Sequence, residues 1–582
     1  MAPSLDPEKQ PLIDTQSDTW VATDALGRKL PSVDDVGSPR AGKYVGMFYF
    51  LWLGQHGTEG PYDITQILKR DPNALTDPGN PLWGDYGRMH HWGKPLFDYY
   101  LSDDPYVIRK HAQMLADAGV DTIIFDVTNQ FTYRNVYMRL FEEYEAMRAA
   151  GAKTPQVMFL TPFWDPAKVV GELYRDLYQP QRYQGLWFKW KGKPLILADP
   201  NLIRSDDAGV PVDTLLQFFT FRKPQPDYFE GPTGPDQWGW LEVYPQHGFY
   251  SAEHPDRVEE VTVGVAQNAV DGHLGALSQP GARGRSFHGG HQPDPPYPVE
   301  QGLNFAEQWE RALSLDPEFI FITGWNEWTA GRFAEFAGYE APNIFVDEFN
   351  QEYSRDIEPM ADGHGDNYYY QLVHYVRKFK GVRRLGQPGA PKTIDLAQGF
   401  AQWKDVRPTF LDDADDALSR DHQGWGSAGR LLNTRGRNDF VESKVARDSK
   451  NVYFYVRTNQ PIIGRGDKNW MLLFIRINDT KPNWAGYQYV VNRSPYASSY
   501  TSLEISDGGW QWKLVAEIPI RIAGNELMIA VHRDLLGLAH GTIPLNFEFK
   551  WADNIDDGSD SREFLLHGDA APNGRFNYRY QE

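Results

Sequence analysis

The sequence predicts an α/β protein in which a (β/α)8 TIM barrel is followed by an antiparallel β-sandwich domain. Three observations predict this fold class. Eight short, almost wholly apolar runs occur between residues 41 and 384, amphipathic helical patterns separate several of them, and beyond residue 393 β-type runs follow one another without comparable helices. Apolar strands alternating with helices are typical of a parallel sheet covered on both faces. Eight such units without a Gly-x-Gly-x-x-Gly turn favour a closed barrel over an open doubly wound sheet.

The N-terminal elements come first in the chain. Residues 1–40 are polar, rich in Pro, Ser and Asp, and lack a periodic apolar pattern, which predicts a tail or an extended wrap over the surface. Residues 41–384 are predicted to form the barrel. Its eight strands are predicted at residues 44–54, 122–127, 156–163, 194–199, 215–221, 238–244, 259–268 and 319–325.

Four amphipathic helices are predicted from apolar residues that recur with helical spacing. In the first, Val107, Ile108, His111 and Leu115 fall on one face. In the second, Gly151 stands where a helix end is expected. The four predicted helices cover residues 106–119, 135–151, 304–315 and 367–380.

The C-terminal third has a different pattern. A linker rich in Gly and Pro is predicted at residues 385–392, and residues 393–582 are predicted to form the sandwich because their β-type runs alternate with turn-rich segments. The six β-type runs lie at residues 451–458, 470–478, 487–493, 512–520, 526–533 and 545–551.

Composition excludes several classes of function. A net charge of −20 and a pI near 5.2 disfavour nucleic acid and anionic membrane surfaces as partners. The absence of cysteine excludes disulfides, thiolate nucleophiles and cysteine metal sites. No apolar run approaches the ~18–20 residues of a membrane helix. Aromatic residues make up 14% of the chain, which suits binding of sugars through their flat C–H faces.

The active site of a TIM barrel lies at the carboxyl ends of its strands, so polar and aromatic residues at these positions are expected to form one ring around the active site. The residues predicted to contact substrate in this ring are Tyr49, Trp52, His91, Trp92, Asn129, Asp165, Tyr244, Trp325, Asn326 and Trp328.

Glu327 is the first candidate for catalysis. It directly follows the eighth predicted strand and is flanked by two tryptophans, an environment that can raise the pKa of a carboxyl group toward the range of a general acid. The alternative is a structural pair with Arg332 at the barrel mouth.

Asp126 and Glu242 are the other two catalytic candidates. Asp126 interrupts an otherwise apolar strand, where an unpaired carboxylate would be costly to bury. It therefore has either a functional role or structural partners, such as His90 and His91. Glu242 lies in the sixth predicted run and has a similar but weaker case.

Several of these segments resemble the glycoside hydrolase family 71 and family 99-like barrels, which include endo-α-mannosidases. The motifs are ITGWNEW (322–328), YFLW (49–52), AGVDTIIFD (118–126) and EYSRDIEP (352–359), and the likeness covers roughly residues 40–382. The resemblance implies cleavage of glycosidic bonds, with Glu327 as a catalytic acid.

One position departs from the family pattern. Endo-α-mannosidases of this group are similar in carrying a second glutamate three positions after the first, whereas this chain has Ala330 there. A replacement acid could come from Glu335, Glu242 or Asp126. The choice affects the stereochemistry, because retention or inversion follows from the separation of the two carboxyl groups.

The C-terminal unit resembles carbohydrate-binding modules of family 9. The resemblance rests on IDL (394–396) before Trp403 and on RNDF (437–440) before VYFYV (452–456). Such modules often hold a structural calcium ion, but the sequence assigns no ligands to one. No metal site and no other cofactor are predicted.

The sequence therefore predicts a monomeric bacterial glycoside hydrolase whose partner is an oligo- or polysaccharide. The alternatives are a polysaccharide lyase and a non-catalytic glycan-binding protein on the same barrel. The first 20 residues have neither the basic nor the apolar region of a signal peptide. We expect a secreted, periplasmic or cell-surface protein whose leader is absent from this chain.

Overall fold

The computed structural model describes residues 11–477, 482–497, 499–538, 544–556, 558 and 560–582. Its first unit contains eight parallel strands, as predicted. In chain order these are β1 (Tyr44–Tyr49), β2 (Thr122–Asp126), β3 (Gln156–Leu160), β4 (Lys193–Leu197), β5 (Thr220–Pro224), β6 (Gln237–Trp238), β7 (Glu260–Gly264) and β8 (Phe319–Thr323).

The barrel is nearly closed. Its strands pair in the order β7-β8-β1-β2-β3-β4-β5-β6, with Met47 of β1 opposite Ile322 of β8 and Ile123 of β2. Within the described residues no ladder joins β6 to β7. The carboxylate of Glu259, just before β7, bridges this gap by accepting bonds from Arg222 of β5 at 2.6 and 2.7 Å and from Trp238 of β6 at 2.9 Å.

The outer ring of the barrel is helical. Six helices of seven residues or more cover the strands: α1 (Pro105–Asp117), α2 (Arg134–Ala149), α3 (Ala167–Leu173), α4 (Val212–Phe218), α5 (Leu303–Leu315) and α6 (Asn367–Lys380). The four predicted helices correspond to α1, α2, α5 and α6. A further helix, Ile64–Arg70, lies in the β1–α1 connection, and a π-helical segment, Tyr174–Tyr178, extends α3.

Two predicted strands differ from the structure. The run 215–221 was predicted as a strand, but its first four residues belong to α4 and β5 begins at Thr220. A short apolar run does not distinguish a buried strand from a buried helix. The sixth strand is confined to Gln237–Trp238, so Glu242 lies beyond its end rather than on it.

A four-stranded sheet lies beside the barrel mouth. The hairpin Thr329–Phe336 and Tyr339–Phe345 follows β8, and Met89–His91 and Tyr62–Asp63 from the β1–α1 connection extend it. This sheet was not predicted. It determines where the chain after Phe345 returns to the mouth.

The second unit is an antiparallel, sheet-rich domain, as predicted. Its eleven-stranded sheet contains β9 (Thr409–Leu411), β10 (Phe440–Arg447), β11 (Asn451–Thr458), β12 (Leu472–Arg476), β13 (Tyr489–Ala497), β14 (Tyr500–Gly508), β15 (Gln511–Ala523), β16 (Glu526–His532), β17 (Asn546–Asp553), β18 (Asp569–Ala571) and β19 (Tyr578–Gln581). A separate hairpin joins Arg420–Gln423 to Arg430–Asn433.

The N-terminal segment packs on both units. Trp20 is buried against Phe576 and Tyr578, with ring centroids 5.4 and 6.1 Å away, while Asp18 pairs with Arg383 after α6. The predicted boundaries at residues 40, 384 and 392 stay predictions. Among the described helices, none has both the length and the apolar character needed to span a membrane.

Candidate active site

Glu327 lies four residues after the end of β8, at the carboxyl end of the barrel. Its side chain is 9% exposed, and its Oε2 accepts a hydrogen bond from the Arg355 guanidinium at 3.1 Å. The backbone N–H of Glu327 donates to the Asp356 carboxylate. Arg332, the structural partner that the sequence offered as an alternative, instead bonds Asn343 and two backbone carbonyls.

Asp347 is a carboxylate of the mouth that the sequence analysis missed. It follows the hairpin strand Tyr339–Phe345, and its Oδ1 accepts from the same Arg355 nitrogen as Glu327, at 3.2 Å. Its side chain is 44% exposed. Because both oxygens contact the same nitrogen, the distance between them cannot exceed the sum of the two contact distances.

Asp126 belongs to the same group of charges. It is the last residue of β2 and is buried, and its Oδ1 accepts from the backbone N–H of Thr128 at 3.0 Å. Burial raises its pKa to about 6, with the Asp347 charge acting in the same direction and Arg355 acting against it. The structure therefore brings Asp126, Glu327 and Asp347 together at one end of the barrel.

Negative charge exceeds positive charge around Arg355. Glu348 also contacts this guanidinium, 3.7 Å from its Nε. Burial raises the pKa of Glu327 and of Glu348 well above the usual glutamate value, although Arg355 opposes the shift. Three carboxyl groups, those of Glu327, Asp347 and Glu348, therefore share the contacts of one guanidinium.

A layer of buried residues holds the Glu327 loop in place. Trp92 stacks on Trp328 with ring centroids 4.6 Å apart and donates to Asp356 at 2.7 Å. Trp328 in turn donates to the buried carboxylate of Glu358. Since Asp356 also accepts the Glu327 N–H, this layer fixes the backbone that carries the candidate acid.

Two groups of aromatic rings lie near the mouth carboxylates. Beside Asp126, Trp52 packs on Tyr133 and donates to the Asp126 carbonyl at 3.3 Å, with the 58% exposed Phe131 next to Tyr133. Beside Arg355, the ring of Trp240 lies 5.8 Å from the guanidinium carbon. The rings of Phe48, Phe163 and Tyr228 pack against Trp240, and Trp164 packs against Phe163.

The predicted substrate-contacting residues fall into two sets. Four of them are half-buried or exposed: Trp52, Asn129, Asp165 and Tyr244. The other six are buried and contact protein groups: Tyr49, His91, Trp92, Trp325, Asn326 and Trp328. Tyr49, for example, bonds His111 at 2.9 Å, and Asn326 bonds the backbone of Phe50. The substrate-binding roles of all ten stay predictions.

His91 lies at the contact between barrel and sandwich. Its ring is packed edge-on against Tyr99 and Trp425, with centroids 4.9 and 4.8 Å away. Burial lowers its pKa to about 3, so the ring is neutral at physiological pH.

Glu242 is fully buried and binds His247 rather than Arg355. Its two oxygens accept from the His247 backbone and Nδ1 at 2.8 and 3.0 Å, while its backbone carbonyl accepts from Gln308 of α5. Burial raises its pKa to about 7. These contacts place Glu242 next to the helical layer behind β7.

Ala330 lies on the hairpin strand Thr329–Phe336, opposite His90 in the neighbouring strand. It is 2% exposed and packs in an apolar cluster with Trp83 and Phe345. An acid at this position would have to enter that cluster. Glu335, farther along the same strand, is exposed.

Comparisons with known proteins give matches to solved structures alone. No protein-family pattern matches the chain, and no curated protein matches it. The chain is similar to solved glycoside hydrolase structures. Two are of the GH99 endo-α-mannosidase from Bacteroides thetaiotaomicron, one of them in complex with Bis-Tris-propane, with 16% and 18% identity and TM-scores of 0.36 and 0.33. A third, a glycoside hydrolase-like protein, has 11% identity and a TM-score of 0.34.

The three matches cover 59%, 58% and 60% of this chain and 99%, 97% and 97% of the matched chains. The resemblance of residues 393–582 to carbohydrate-binding modules stays a prediction.

Proposed function

We propose that this protein is a glycoside hydrolase that cleaves glycosidic bonds in an oligo- or polysaccharide. The observation that carries the proposal is the pair of carboxyl groups, Glu327 and Asp347, held by one nitrogen of Arg355 at the barrel mouth. Hydrolysis of a glycosidic bond needs a proton donor at the leaving oxygen and a second carboxylate that acts on water or on the sugar.

The environments of the two carboxyl groups suggest their roles. Glu327 is nearly buried and its pKa is raised by burial, so it suits the proton donor. Asp347 is 44% exposed and suits the second group, which either takes a proton from water or attacks the anomeric carbon. Arg355 holds the two carboxyl groups close to each other. Asp126 is close enough to shift the Glu327 pKa further upward.

The aromatic rings support a carbohydrate as the substrate. Trp164 is 76% exposed and Phe131 is 58% exposed, in the loops that follow the neighbouring strands β3 and β2. Large exposed rings mark an interaction surface, and sugar C–H faces pack on such rings.

The test is a glycan panel with product analysis on the full-length chain and on Glu327→Gln. New saturated reducing ends from the wild type, lost in Glu327→Gln, would support the proposal. Glu340→Gln serves as the matched control, because Glu340 is exposed on the hairpin and has no assigned role. Unsaturated products would identify a lyase and contradict the proposal. Binding without products across the panel would favour the non-catalytic alternative, which the alanine at position 330 keeps open.

A further inference from the structure

We propose that the boundary between barrel and sandwich holds a divalent cation on Asp412, Asp416 and Asp569. Each of these residues offers one carboxylate oxygen, and the three oxygens all lie within 4.8 Å of one another. The site is separate from the barrel mouth, so the proposal does not depend on the proposed hydrolase activity.

The three carboxylates come from distant parts of the chain. Asp412 directly follows β9, Asp416 lies in the next loop, and Asp569 begins β18 near the C-terminus. Helix α1 of the barrel borders the site, and its Gln113 side chain donates to Oδ2 of Asp416. A cation here would tie two ends of the sandwich to each other next to this helix.

Neither carboxylate oxygen of Asp412 accepts a hydrogen bond from any described residue. The Asp416 carboxyl group hydrogen-bonds that of Asp439 and accepts from Gln113. Asp412 is 1% exposed and Asp416 is 6% exposed. Buried polar atoms normally have partners, and an unpartnered buried carboxylate is especially costly. The orphaned oxygens of Asp412, aimed at one small space, are the observation that points to a ligand.

The charge balance points the same way. Three more carboxyl groups act on this cluster electrostatically, those of Asp117, Asp413 and Asp439. The ammonium groups of Lys110 and Lys550 act on Asp412 and Asp569 in the opposite direction. The Lys550 ammonium itself donates to the Pro572 carbonyl.

The donor set selects the kind of cation. All three donors are carboxylate oxygens, with neither imidazole nor thiolate among them. Such hard donors suit calcium or magnesium rather than zinc or copper.

Metal analysis and thermal unfolding of the full-length protein test the proposal. Elemental analysis of the purified protein should find one ion per chain. The same result is expected after the protein has been dialysed against a chelator and then titrated with CaCl2 or MgCl2. Re-addition should raise the Tm, since a ligand that binds the folded state stabilises it. The Ca²⁺ and Mg²⁺ arms decide which ion is preferred. No bound ion and an unchanged Tm in both arms would overturn the proposal.

A pair of variants locates the ion. The described residues include one other close group of possible ligands, Asp556, Glu563 and His567, whose members are partly exposed and bond one another or Arg435. Asp412→Asn should abolish ion binding and the Tm response, whereas Asp556→Asn should keep both. The reverse result would place the ion at the second group and refute the assignment. If Asp412→Asn does not fold, Asp569→Asn is the substitute.

Discussion

At the scale of single residues, Arg355 organises the barrel mouth. Its side chain is 2% exposed and contacts Glu327, Asp347 and Glu348. Glu327 and Asp126 could be predicted as mouth residues because each stands at or just after the end of a barrel strand. Asp347 could not be found that way, since it follows a hairpin inserted after β8. The sequence feature that marks Asp347 is the apolar run Ile344–Val346, which ends at the pair Asp347-Glu348.

The proposed roles predict that Asp347→Asn is nearly inactive. Removal of a general acid–base group lowers kcat by roughly 10²–10⁴-fold, and we expect losses in this range for Asp347→Asn and for Glu327→Gln. The measurement is kcat on a substrate identified with the glycan panel, with circular dichroism to check folding. Wild-type turnover by folded Asp347→Asn would return the partner role to Asp126 or Glu242.

The raised pKa of Asp126 predicts a pH-dependent cost to stability. Below pH 3.8 the carboxyl group is neutral in both states, but between 3.8 and about 6 it ionises in the unfolded chain only. As the pH rises from 3.8 to about 6, the free energy of unfolding of the wild type should therefore fall by about 3 kcal/mol relative to that of Asp126→Asn. Urea unfolding at several pH values measures it.

Asp85→Asn is the control for this experiment, because the Asp85 side chain is 90% exposed. Its free-energy difference from the wild type should not change with pH over the same window. A flat difference for Asp126→Asn would show that the folded state does not raise this pKa.

At the scale of elements, long periodic segments were predicted well and short ones were not. The helix prediction 367–380 coincides with α6, and 304–315 differs from α5 by one residue. By contrast, α4 and β5 share the single apolar stretch 215–221, and β6 has two residues. In such short segments tertiary contacts decide the conformation. The hairpin Thr329–Phe336/Tyr339–Phe345 carries many polar residues, so it lacked the apolar signal of a barrel strand.

The contact of α3 with the short helix Ser205–Ala208 predicts that Gly171→Ala is destabilising. A Cβ on Gly171 would lie 1.9 Å from the Ala208 carbonyl oxygen, a backbone atom that cannot move alone. Alanine gains up to ~1 kcal/mol in helix preference, but overpacking costs about 1–3 kcal/mol. The free energy of unfolding should fall. Gly234→Ala, whose Cβ would meet nothing within 4 Å, should be nearly neutral.

At the scale of the whole molecule, the sandwich packs closely on the barrel. The buried ring of Trp425 contacts Tyr99 through its backbone and His91 through its ring. Elsewhere Arg575 pairs with Asp366 at 2.6 Å, and Arg562 donates to the Met360 carbonyl. The sequence predicted two units, but contacts between residues hundreds of positions apart could not be predicted from local patterns.

The buried ion pair between Arg420 of the sandwich and Asp104 of the barrel gives the final prediction. Arg420 donates to Asp104 at 2.8 Å and to the Phe97 carbonyl at 2.8 Å, and Asp104 also caps α1 through the Tyr106 N–H. Arg420→Ala leaves the fully buried Asp104 carboxylate without its cation, which costs roughly 3–5 kcal/mol. Arg430→Ala, which breaks an exposed pair with Asp421, should have little effect. Equal urea midpoints for the two variants would contradict an interface held by this pair.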